Sequence, residues 1–269
     1  MVRSLATLAL AALVWALPAS GRASTCHAFV EGVPGVRYAA LGPVASAAQE
    51  VAITYVGHST FRIETAGGVV IATDYFGAAG PGRAPDVATM NKAHETHYTD
   101  FPDPAIRFVL RGWNPAGAGP AEHLLTLEDV TVRNVTTDIR GWGTPEKDGN
   151  SIFVFEVADL CIGHLGHLHH PLTDAHYAML GRLDVVMAPV DGSYTLEIGQ
   201  MIGVLKRLRA SLVLPMHAFG AWSLQRFVEG MRSDFEVVIG ESAGIRVSRD
   251  SLPRHPTVLV LPTRFADGQ

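Results

Sequence analysis

His164-Leu165-Gly166-His167-Leu168-His169-His170-Pro171-Leu172-Thr173 places four histidines within seven residues, directly after the apolar run Leu160-Cys161-Ile162-Gly163. A short apolar run that ends at a glycine reads as a buried strand. Loops at strand ends are where α/β folds place their chemistry. Neutral imidazole is the commonest metal ligand, so a histidine run in that position predicts a metal or catalytic role. Isolated histidines such as His123, His176 and His255 are read instead as surface or hydrogen-bonded side chains.

Two further loops match this one. His94 and His97 follow the short run 86–90, and His217 follows Leu212-Val213-Leu214-Pro215-Met216. Seven of the twelve histidines thus fall at three strand ends, and three or four imidazoles from separate loops can surround one ion. The spacing in His94-Glu95-Thr96-His97 is not the His-Glu-x-x-His of a helical metalloprotease. The chain also lacks a Gly-x-Ser-x-Gly elbow, a phosphate-binding Gly-x-x-x-x-Gly-Lys loop and a Gly-x-Gly-x-x-Gly fingerprint, which removes the serine-hydrolase and nucleotide-binding readings.

Around these loops, hydrophobic periodicity predicts strands at 51–55, 60–65, 69–72, 106–110, 130–135, 151–157, 160–163, 185–188, 212–214, 235–239 and 258–261. Helices are expected at 173–180, 196–209 and 221–231, and loops at 77–85, 112–120 and 141–150. Strands come first and strand–helix alternation follows, with no linker between them. That order predicts one α/β domain with two sheets over residues 49–269, preceded by an irregular lead-in at 24–48. With 269 residues, 48% hydrophobic and only 17% charged, the chain can bury a large core.

Residues 1–23 differ in kind. Arg3 begins a positive start, 5–17 is nearly all apolar, and 18–23 is small and turn-prone. This is the layout of a secretory signal peptide; about thirteen apolar residues fall short of the roughly 20 that span a bilayer. The expectation is a periplasmic or secreted protein with no stable membrane insertion after cleavage. Removing residues 1–23 takes Arg3 and Arg22 and leaves a net charge of −7, from −5 for the whole chain. There is no basic run, so a nucleic-acid partner is not expected. Export permits a disulfide between Cys26 and Cys161, although a buried, free Cys161 is the favoured reading.

Five segments, in order, resemble the metallo-β-lactamase superfamily, in particular its ascorbate-6-phosphate-lactonase-like branch. Ile53-Thr54-Tyr55-Val56-Gly57-His58-Ser59-Thr60-Phe61-Arg62-Ile63 and Ile71-Ala72-Thr73-Asp74-Tyr75-Phe76 are similar to the opening strands of that branch. The histidine run is similar to its His-Leu-Gly-Asp-Leu-Gly-His-x-Leu-Thr. Ala188-Pro189-Val190-Asp191-Gly192-Ser193-Tyr194-Thr195 resembles its Pro-Val-Gly-Gly-x-Tyr-Thr, and Leu214-Pro215-Met216-His217 its Ile-Pro-Met-His. The resemblance implies a four-layer αβ/βα sandwich with a metal site along one edge of the two sheets.

The ligands depart from the family pattern. Its His-x-His-x-Asp-His falls on Lys92-Ala93-His94-Glu95-Thr96-His97, so Lys92 and Thr96 stand at ligand positions. The middle histidine falls near Thr137, and His167 replaces the bridging aspartate. A protonated lysine does not coordinate, so one ion is expected rather than two. His97, His217 and His167 would hold it, with His94, His164 or His170 completing or orienting the site. Three imidazoles and a water suit zinc, with manganese as the second choice.

The implied function is a metal-dependent hydrolase of a small ester, lactone, amide or phosphoester, using a metal-bound water. Lys92 would stabilise the oxyanion, and Asp191, Asp100 or a spare histidine would take the proton. His58 is either near the site or a turn-stabilising residue, and Trp113 and Trp142 are candidate pocket walls. The alternative is a non-enzymatic metal- or ligand-binding protein that keeps the fold without the dinuclear hydrolytic centre.

Overall fold

A computed structural model describes residues 24, 26–27, 49–117, 119–141 and 143–263. The expected leader, most of the lead-in and Trp142 lie outside the described residues.

The first sheet is built from β1 (Val51–Gly57), β2 (Thr60–Glu64), β3 (Val70–Ala72), β4 (Val87–Met90), β5 (Phe108–Arg111) and β13 (Gly244–Val247), in the order β13-β1-β2-β3-β4-β5. The second has eight strands. Its antiparallel half is β6 (Leu124–Leu127), β7 (Val130–Ile139), β8 (Glu146–Val157) and β9 (Leu160–His164). Its parallel half adds β10 (Val185–Pro189), β11 (Leu212–Met216), β12 (Glu236–Ile239) and β14 (Thr257–Val260).

The parallel strands show why sequence located them. A parallel sheet is covered on both faces and therefore reads as an unbroken apolar run. Val185, Met187, Leu212 and Leu214 face the core between the sheets. Val186, Ala188 and Val213 face a second core under the helices. β1 carries the complementary signal, with Val51, Ile53 and Tyr55 buried and alternating with half-exposed Ala52 and Thr54.

Three helices, α1 (Asp174–Leu180), α2 (Ile198–Leu208) and α3 (Ala221–Met231), cover the outer face of the eight-stranded sheet. Thr173 caps α1: its side chain accepts from His176 N–H, while the His176 ring accepts from Thr173 N–H. The α/β class and the two sheets follow the expectation. Of the two outer helical layers expected, the described residues build one. The outer face of the first sheet is covered by Tyr75, Ala79, Tyr98 and Ile106 from loops.

Other expectations need correction. β6 and β13 were not foreseen, and β8 begins at Glu146, inside the expected loop 141–150. Cys161 is not free. It is bonded to Cys26 across 135 residues, and further bonds hold Ser24 and Cys26 beside it. Ser24 donates to Glu156 at 2.9 Å, and Arg182 N–H donates to the Cys26 carbonyl at 2.7 Å.

Closing a loop of that length restricts the unfolded chain strongly. Cys161→Ser, or reduction, is expected to lower unfolding free energy by about 2–4 kcal/mol. Chemical denaturation of oxidised and reduced protein measures it; coincident midpoints would contradict the role of this bridge.

Candidate metal centre

Six chain segments leaving strand ends meet along one edge of the sandwich. They are the β1–β2 turn with His58, the residues after β3 with Asp74, those after β4 with His94 to His97, those after β9 with His167, those after β10 with Asp191, and His217 after β11. His58, Asp74 and His217 adopt left-handed backbone conformations, with φ of 51°, 41° and 55°. Such conformations cost energy in non-glycine residues and persist only where the surroundings dictate them. Here the His58 carbonyl accepts from the Tyr55 hydroxyl at 2.8 Å and from His217 N–H at 2.7 Å, tying the first turn to the last.

Two buried carboxylates organise the imidazoles. His97 Nδ1 donates to Asp74 at 2.6 Å, and His217 Nδ1 donates to Asp191 at 3.0 Å. Both pairs are shielded from solvent. Burial pushes the Asp74 carboxyl up, but nearby His164 and His97 and hydrogen bonds from His97 and Asn91 hold it below its ordinary value. Asp191 is likewise opposed by burial, yet His217, Thr195 and Ser193 drive it far down.

With each Nδ1 committed to a carboxylate, the lone pair of each ring sits on Nε2. His97 Nε2 and His217 Nε2 are both buried with no hydrogen-bond partner. An unpaired buried acceptor costs roughly 1–3 kcal/mol, and a carboxylate behind a histidine is the usual support of a metal-binding imidazole. One ring nitrogen each from His58, His94, His97 and His217 lies within 4.8 Å of the others. Burial and the neighbouring imidazoles lower His58 to about 3 and His94 to about 4. These two rings are therefore neutral near pH 7, as ligands must be. The donor set fits a divalent ion that prefers nitrogen, such as zinc.

The remaining sequence candidates divide. His94 belongs to the group: its Nδ1 lies 2.7 Å from Thr96 Oγ1, which also lies 2.9 Å from His58 Nε2. His167 is adjacent, with Nε2 3.0 Å from His94 Nε2 and Nδ1 2.5 Å from His169 Nε2. His164 is no ligand. Its Nε2 donates to the Ser59 carbonyl at 2.8 Å and its Nδ1 accepts from Gly166 N–H at 3.1 Å, so no lone pair is left.

The two catalytic assignments also change. Lys92 is ion-paired with Glu146 on the surface instead of facing the cluster. Asp191 accepts from Ser193, Tyr194 and Thr195 as well as His217, so its oxygens are committed to holding the 193–195 loop and the His217 ring. Thr137, near which the resemblance places the family's middle histidine, is buried and accepts from Asn150 Nδ2 at 2.9 Å. Trp113 packs edge-on against Tyr98 within the cluster that covers the first sheet.

Sequence reasoning missed Asp74, Asn91 and Asn150. Asn91 donates to Asp74 at 2.8 Å and accepts from Ser151 N–H at 2.7 Å, while Asn150 accepts from His167 N–H at 2.7 Å. A Cβ on Gly166, itself at φ +60°, would lie 2.4 Å from Asn91 Nδ2 and 2.5 Å from Asn150 Oδ1. Only glycine fits there. The available signal was Asp74 following a fully buried strand, where a charge needs a partner. A hollow of about 500 Å³ lined by Gln49, Glu64 and Arg246 lies at the opposite end of β1 and holds none of these histidines.

Comparison with known proteins agrees with this geometry. A family described as the beta-lactamase superfamily domain matches residues 52–217. A UPF0173 metal-dependent hydrolase of Salinibacter ruber is 24% identical over 194 residues, covering 61% of this chain and 83% of that protein. Among solved structures, a Thermotoga maritima protein described as a Zn-dependent hydrolase of the metallo-beta-lactamase superfamily has a TM-score of 0.58 and 24% identity. That match covers 80% of this chain and all of the other. The metallo-beta-lactamase fold protein YhfI of Bacillus subtilis has a TM-score of 0.54 at 10% identity, covering 80% and 97%. At these identities the structural likeness concerns the fold.

Asp74→Ala is expected to weaken zinc binding about 10–100-fold by freeing the His97 ring. Competition with a chromophoric chelator measures this; unchanged affinity would mean that Asp74 does not support a ligand.

Proposed function

The chain belongs to the beta-lactamase superfamily, and on that premise we propose an exported metal-dependent hydrolase whose single ion is held by His94, His97 and His217. The observation that carries the reading is the pair of buried, unpartnered Nε2 atoms on His97 and His217, each backed by a carboxylate. Zinc is favoured because the donors are imidazole nitrogens. One ion is favoured because Lys92, Thr96, Thr137 and His167 stand where a second set of ligands would be needed.

A divalent ion in this position supplies Lewis acidity toward a carbonyl or phosphoryl oxygen. The chain supplies the rest. Asp74 and Asp191 fix the rotation and tautomer of the His97 and His217 rings. Thr96 Oγ1 lies between His94 and His58 and restrains both.

The substrate side is marked by aromatic rings. Phe219 is 52% exposed and lies 4.8 Å from the His217 ring and 5.6 Å from His58. Tyr194, also exposed, packs edge-on against Phe219 at 5.5 Å. Exposed aromatics beside a polar centre suit a small molecule with an apolar group next to its reactive carbonyl or phosphoryl. Export is supported by the signal-like residues 1–23 and by the Cys26–Cys161 bridge, which suits an oxidising compartment.

The test is elemental mass spectrometry of untagged protein, followed by turnover of ester, lactone, amide and phosphodiester substrates. About one zinc per chain is expected, lost together with hydrolysis in His97→Ala and His217→Ala. Absence of metal after zinc is supplied would overturn the reading. Bound zinc with no turnover would favour a metal-binding protein instead. Phe219→Ala is expected to raise KM several-fold for apolar substrates with little change in kcat; an unchanged KM would remove Phe219 from the substrate site.

A further inference from the structure

His167 is the departure that the metal reading leaves unexplained, and a single backbone amide fixes its chemistry. The Arg140 N–H lies 2.6 Å from His169 Nδ1. A backbone N–H only donates, so His169 Nδ1 must accept and carries no proton. The ring's proton is therefore on Nε2, which lies 2.5 Å from His167 Nδ1. His167 Nδ1 in turn must accept. Its own proton is left on Nε2, the atom that faces the metal centre 3.0 Å from His94 Nε2.

The polarity continues without conflict. His94 Nε2 accepts here, so His94 Nδ1 carries the proton and donates to Thr96 Oγ1 at 2.7 Å. An ion held by His94 would take that Nε2 lone pair and leave the His167 Nε2–H free for a substrate oxygen. The single hydroxyl proton of Thr96 is then free for His58 Nε2 at 2.9 Å. Every link has one donor and one acceptor. The reverse polarity would set His169 Nδ1–H against the Arg140 N–H.

The starting amide is itself held. The Arg140 guanidinium donates to the carbonyls of Ser193, Tyr194 and Thr195, the loop that also clamps Asp191. His167 is fixed from behind as well, by its N–H to Asn150 and by its buried neighbours Leu165 and Leu168.

We propose that His167 is a fixed hydrogen-bond donor and not a metal ligand, its Nε2–H directed at a substrate oxygen that takes on negative charge. His169 is the positioning residue that sets its tautomer. The proposal corrects the expectation that His167 coordinates the ion, and it rests on the reading that His94, His97 and His217 do. An N–H aimed at developing charge in a preorganised site typically contributes about 10²–10³ in kcat. No proton need be transferred.

Nitrogen-15 spectra of histidine-labelled protein, with His167 assigned through His167→Gln, report the tautomer directly. The expected result is a protonated Nε2 both without and with zinc. In His169→Ala the proton should redistribute between the two ring nitrogens. Zinc affinity of His167→Ala and His167→Gln should stay within about threefold of wild type, while kcat falls about 10²–10³-fold in His167→Ala and less in His167→Gln, whose amide can still donate. Loss of zinc in both His167 variants, or movement of the proton to Nδ1 when zinc is added, would make His167 a ligand and overturn the proposal. Failure of wild type to bind zinc would instead overturn the metal reading, and the zinc-free spectrum would still decide the tautomer.

Discussion

Two buried carboxylate–imidazole hydrogen bonds, Asp74–His97 and Asp191–His217, are the constraint on which the rest of the centre depends. Each brings a charge into a place where water cannot reach it, which is costly unless every lone pair is used. Asp74 is satisfied by His97 and Asn91, and Asp191 by His217 and the 193–195 loop. The loops at four strand ends are shaped to meet those needs. The left-handed backbone of Asp74 and His217 and the obligatory glycine at 166 are local consequences. What remains after the carboxylates are satisfied is a pair of ring nitrogens with no partner, and that deficit is the functional feature.

The metal-site substitutions make physical sense together. Thr96 exchanges a charged ligand for a hydroxyl that can accept from one imidazole and donate to another. His167 exchanges an acceptor-only carboxylate for a ring that can present an N–H. Thr137 is neutral and buried, and Asn150 satisfies it. On the proposed single-ion reading, neutral hydrogen-bonding side chains stand where the resemblance places the ligands of a second ion. Lys92, paired with Glu146 at the surface, fits the same pattern, since a cation beside the remaining ion would only repel it.

Much of this was legible in the sequence, and the parts that were not share a cause. Strands such as β10 and β11 were visible because both faces are buried and the run is wholly apolar. β6 and β13 are edge strands of only four residues each, too short to display a period, and mostly half-buried or exposed. The start of β8, Glu146-Lys147-Asp148-Gly149-Asn150, has a loop's composition and is held as strand by pairing with β7. In the site, the histidine clusters stood out by density. Their roles did not, because a histidine's function depends on which nitrogen holds the proton. Partners such as Asp74, or the backbone amide of Arg140, settle that and are remote in the chain. His164 illustrates the point: nothing in the run distinguishes it from its neighbours, yet both of its nitrogens are committed to backbone groups.

The central claim is a single ion held by His94, His97 and His217, with His167 outside its ligands. X-ray absorption at the zinc edge of the fully loaded protein tests it most directly. The account predicts imidazole scattering from three rings, unchanged in His167→Gln, and no second metal nearby. A metal–metal scattering path, or a fourth imidazole that disappears in that variant, would contradict it.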